Sequence, residues 1–74
     1  MSYQRVLNYI RCAPHPTFVY VKNGHAKCMP AGDERASMVL NNQFNPEIVP
    51  VGVYTSDVDG KWLAEDLLAC GVEL

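Results

Sequence analysis

Residues 18–29 read Phe18-Val19-Tyr20-Val21-Lys22-Asn23-Gly24-His25-Ala26-Lys27-Cys28-Met29. Two short strand-forming runs flank an Asn-Gly dipeptide. A type I′ turn needs positive φ at both central residues, and Asn-Gly tolerates that best. The stretch therefore predicts a β-hairpin whose two-residue loop sets Lys22 opposite His25 and Val19 opposite Cys28. In its first strand Phe18 and Tyr20 share one face, and Val19 and Val21 the other. Cys28 then reads as a small buried hydrophobe against a valine.

Upstream, Ser2 is placed to cap a first helix, and Tyr3, Val6, Leu7 and Ile10 follow at helical spacing. Pro14 ends that helix, because a proline pushes the residue before it out of the helical region. Downstream, Asp33 can cap a short helix through Asn42 with Ala36, Val39 and Leu40 inward, although Gly32, Asn41 and Asn42 make it a modest helix former. Asn41 to Pro46 reads as a loop. Ile48 to Thr55 alternates, with Val49, Val51 and Val53 on one face. Pro50 cannot donate to a ladder, which makes this an edge strand or one whose start is irregular. The last helix opens near Ser56 and Asp59, spaced as a weak capping box, and turns Leu63, Ala64, Leu67 and Leu68 inward. Gly71 sits where a left-handed residue ends a helix, and Val72 can fold back toward Leu67. The expected fold class is α+β: N-terminal helix, β-hairpin, short helix or loop, third (edge) strand and C-terminal helix. Together they form a small three-stranded sheet covered by helices.

At 74 residues, positions 1–74 are read as one small globular domain. Forty-nine per cent apolar residues is an ordinary globular composition and argues against disorder. No apolar run approaches the length of a membrane span, and residues 1–15 lack the apolar centre of a secretory signal. Three cysteines, an odd number, argue against a disulfide framework and for a reducing cytoplasm. The net charge of −2 hides an asymmetry. Arg5, Arg11, Lys22, Lys27 and Arg35 face only Asp33 and Glu34 in the first half. The second half sets Glu47, Asp57, Asp59, Glu65, Asp66 and Glu73 against Lys61 alone. This balance argues against general nucleic-acid binding and suits a partner with a basic surface.

Two pairs, Cys12-x-x-His15 and His25-x-x-Cys28, carry the ligand types of tetrahedral zinc, and their arrangement resembles a zinc ribbon. The resemblance covers about a quarter of the chain, and the position of the ribbon's fourth ligand holds Ala31. In a straight strand, residues three apart lie about 10 Å apart on opposite faces. A regular hairpin and a site formed by Cys12, His15, His25 and Cys28 therefore exclude one another.

Val19-Tyr20-Val21-Lys22 followed by His25-Ala26-Lys27-Cys28 also resembles the strand and Cys-x-x-Cys of glutaredoxins. Asp57-Val58-Asp59, Leu63-Ala64-Glu65 and Gly71-Val72 look like the second strand and helix of thioredoxin-like proteins. This likeness spans residues 17–72 and implies a shortened relative. His25 stands at the position of that family's nucleophilic cysteine, and thiol exchange needs an activated thiolate there.

Asp57 with Asp59, and Glu65 with Asp66, are carboxylate pairs, the first explained by helix capping and the second by a solvated helix face. No Ser-His-Asp spacing, Walker-type glycine loop or GxSxG motif occurs, so no catalytic residue is expected. What remains is recognition. Trp62, with Lys61, Glu65 and Asp66, forms an aromatic anchor on an acidic helix, unless the indole only seals the core edge. The open edge of the Val49–Tyr54 strand offers strand addition to a partner or to a second copy. The expectation is a non-enzymatic module that binds another protein and has no cofactor. Phage accessory proteins that inhibit a host enzyme or defence complex are commonly of this size and this poor in motifs. The alternatives are a zinc-stapled module and a degenerate thioredoxin-like protein.

Overall fold

The computed structural model describes residues 2–41 and 47–72. Its elements are α1 (Ser2–Cys12), β1 (Thr17–Lys22), β2 (His25–Pro30), α2 (Glu34–Asn41), β3 (Ile48–Tyr54) and α3 (Gly60–Ala69). The sheet is antiparallel with order β2-β1-β3, so the hairpin's first strand is central and both others are edges. The α+β architecture expected from the sequence is the one observed.

Asn23 and Gly24 take φ of 54° and 79°, and the ladder pairs Lys22 with His25 and Val19 with Cys28. This is the register that the Asn-Gly turn dictates. One face of the sheet is covered by α1 and α3: Val19, Val21 and Ala26 pack against Val6, Leu7, Ile10, Leu63, Leu67 and Val72. Ile10, Val19, Leu63 and Leu67 are fully buried, each worth roughly 1.5–3 kcal/mol of transfer free energy. The other face carries a smaller cluster in which Phe18 and Met29 meet Ala36 of α2. Phe18 and Tyr20 stack there with ring centroids 5.7 Å apart.

Backbone bonds fix the phase of both ladders. The Ala31 amide donates to the Pro16 carbonyl (3.0 Å), and the Asn23 amide to the Glu47 carbonyl (3.1 Å). Alternation from these points turns the backbone of Thr17, Val19 and Val21 toward β3, and that of Phe18, Tyr20 and Lys22 toward β2. Pro30 and Pro50 then both have their nitrogen on the outer side of an edge strand, where no ladder donor is lost.

Three details differ from the expectation. The β3 register shifts between Val19 and Tyr20, whose partners are Gly52 and Pro50, so Val51 is an extra residue. Val51 packs into the α1/α3 core while Val53, opposite Phe18, is 58% exposed; the three valines therefore share no buried face. The cap of α3 is Asp59, whose carboxylate accepts from the Lys61 amide (2.8 Å), and Ser56 belongs to the preceding turn. Leu68 is 55% exposed, because five residues carry it about 140° around the helix from Leu63.

Other ends form as read. The Asp33 carboxylate accepts from the Arg35 amide (2.9 Å) and caps α2, and the Arg35 guanidinium holds that carboxyl below its usual range. At the end of α3, Gly71 (φ 92°) donates to the Leu68 carbonyl and Val72 to that of Leu67, with Val72 buried beside Leu67. Ser2 is the first residue of α1, and Asn41, where the loop was expected to begin, is the last of α2; the side chains of Ser2 and Leu40 and residues 42–46 lie outside what the structure describes. No described helix is long and apolar enough to cross a membrane.

Candidate protein-binding surface

Helix α3 buries one stripe and exposes the rest. Leu63 and Leu67 lie at 0% exposure, while Trp62, one position from Leu63, is 71% exposed. An indole sealing the core edge would have lost most of its surface. Trp62 instead stands free on a helix anchored on its opposite side.

At about 100° per residue, Trp62 and Asp66 share one flank of α3. That flank faces β3, because the Tyr54 hydroxyl donates to Asp66 Oδ2 at 2.6 Å. Burial first, and then this bond, push the Tyr54 phenol above its ordinary range. Glu65 occupies the solvent-facing centre of the helix. Lys61 and Leu68, seven apart, share the far flank. The structure thus brings Trp62, Glu65 and Asp66 together around half the exposed arc and sets Lys61 on its other margin. Tyr54 and Leu68 are surface members that the sequence reading missed. The spacing of Leu68 from Leu63 carried a signal, whereas the strand-to-helix approach of Tyr54 and Asp66 carried none.

The other candidate residues fall elsewhere. Cys12 ends α1, and with His15, Tyr9 and Pro14 it lines a shallow hollow of about 240 Å³. His25 and Cys28 sit in the regular part of β2 on opposite faces. Among the described residues, no three His, Cys, Asp or Glu side chains converge on a point that could hold a metal. Cys28 is half-buried, and burial pushes its thiol up, away from the thiolate that redox exchange requires. Among the carboxylates, Asp57 accepts from the Thr55 hydroxyl and Asp59 caps α3.

Helix α3 is held from two sides. The Tyr3 hydroxyl donates to the Gly60 carbonyl at 2.8 Å, and Tyr54 holds the middle through Asp66. The exposed indole is therefore presented on a fixed helix, which lowers the ordering cost of any contact it makes. No known protein family, curated protein or solved structure matches this chain.

Proposed function

We propose that the chain is a non-enzymatic protein-binding module whose contact surface is the outer face of α3, with a basic surface on the partner. The observation that carries this reading is the 71% exposure of Trp62 on a helix whose next residue is fully buried. Tryptophan concentrates binding energy at interfaces, and its loss there typically costs 2 kcal/mol or more, about thirtyfold in affinity. Glu65 and Asp66 supply the charge that a basic partner would meet, and such charges act mainly on the association rate.

The test is affinity capture from an extract of the source organism with three baits: wild type, Trp62→Ala and Glu65→Lys. Glu65 is preferred to Asp66 for charge reversal because Asp66 also bonds Tyr54. The expected result is one protein retained by wild type, lost with Trp62→Ala and weakened with Glu65→Lys, all three baits showing the same circular dichroism. A partner retained equally by all three would place the contact elsewhere on the molecule.

A further inference from the structure

The outer edge of β2 has the features of a second binding site, on the side of the sheet remote from β3. The ladder phase makes Lys22–His25, Tyr20–Lys27 and Phe18–Met29 the hydrogen-bonded pairs. The amide and carbonyl of Ala26 and of Cys28 therefore point away from β1. Among the described residues no strand lies beyond β2, and no backbone or side-chain group bonds these four.

These groups border a groove of about 360 Å³ between α1 and β2. Arg5, Val6 and Tyr9 form one wall, and Ala26, Lys27 and Cys28 the other. Small residues at 26 and 28 leave the strand's edge accessible beneath the helix. Arg5 and Lys27 are exposed and stand in no ion pair among the described residues. The opposite edge is less suitable, because Pro50 and the extra residue Val51 interrupt β3.

We infer that this groove takes an extended acidic peptide segment of a partner protein as an added strand on β2. Backbone pairing would use the amides and carbonyls of Ala26 and Cys28, and the peptide's carboxylates would meet Arg5 and Lys27. Charge argues against a second copy as the occupant. Symmetric antiparallel pairing that engages both Ala26 and Cys28 sets Lys27 directly against its own copy, and like charges directly opposed are destabilising. Backbone amides in strand register match a peptide rather than nucleobases. The site lies away from the Trp62 face and does not depend on that face being a contact.

The test uses an eight-residue peptide of the repeat Glu-Glu-Val-Val, followed by amide hydrogen exchange and fluorescence anisotropy. The repeat presents glutamate on both faces of the added strand, because Arg5 lies over the α1 face of the sheet and Lys27 on the other. The expected result is binding that slows exchange at the Ala26 and Cys28 amides and weakens about tenfold with Arg5→Glu or Lys27→Glu. Methylating alternate peptide nitrogens should abolish binding in one phase and spare it in the other. Cys28→Pro blocks the edge without removing a β1 ladder bond, so it should fold and fail to bind. The inference is overturned by protection confined to α3 or by equal binding of the lysine–valine peptide. Self-association of the wild type through β2, or an oligothymidylate that protects these amides in place of the peptide, would overturn it equally. If Cys28→Pro fails to fold, the methylated peptides decide alone.

Discussion

The phenol of Tyr54 donates to the Asp66 carboxylate across 2.6 Å, tying the last residue of β3 to the middle of α3. The bond sets the flank on which Trp62 stands and fixes one of the acidic groups beside it. Its loss in Tyr54→Phe is expected to cost about 1 kcal/mol near neutral pH, read by urea denaturation.

The same phenol predicts an alkaline limb. Its folded pKa is raised, so the folded protein keeps this proton at pH values where the unfolded chain has released it. The stabilisation is complete below about pH 10 and is lost as the pH climbs through the folded value. Wild type should lose stability along this limb, and Tyr54→Phe should lose less. Parallel limbs in the two proteins would mean that Tyr54 is not the group responsible.

Thr17 is fully buried in β1, and its hydroxyl has no hydrogen-bond partner among the described residues. Thr17→Val keeps the branched shape and removes the orphaned group. The melting temperature should rise, corresponding to a gain of about 1 kcal/mol. A drop would indicate that the hydroxyl is satisfied in solution.

Gly71 has φ of 92° and open space where a Cβ would sit. Gly71→Ala should therefore cost only the backbone penalty of the left-handed region, roughly 1–2 kcal/mol. A change within error in denaturant midpoint would contradict the cap at this end of α3.

Hairpin and caps were legible because each is a local device. Asn23-Gly24 sets the turn and therefore the register, Asp33 announces α2, and Gly71 with Val72 closes α3. What was not legible depends on contacts between distant segments. Alternation over Ile48–Tyr54 cannot show that Val51 is an extra residue, because the shift exists only against Val19 and Tyr20 of β1. The Ser56 signal failed because Asp59 itself reaches the Lys61 amide and starts the helix later. The sequence left Trp62 between sealing the core edge and standing on the surface, and its flank faces Tyr54, which lies in another element. The Cys/His spacing brings Cys12 and His15 to one hollow, but the hairpin sends His25 and Cys28 to opposite faces, so among the described residues the four do not converge.

Cysteine reactivity follows from burial. Cys12 is exposed, whereas Cys28 is half-buried with its thiol pushed up. Iodoacetamide should modify Cys12 well before Cys28 in the folded protein, as followed by peptide mass spectrometry. Equal rates would contradict the packing of Cys28 under α1.

Trp62 is the single tryptophan of the chain, so its fluorescence reports on the proposed contact without a label. The most direct measurement is acrylamide quenching of that emission in the free protein and with the captured partner added. Ready quenching and red-shifted emission when free, with protection and a blue shift in the complex, are the predicted result. An indole already shielded in the free protein, or one equally quenched in the complex, would contradict the account of α3 as the binding face.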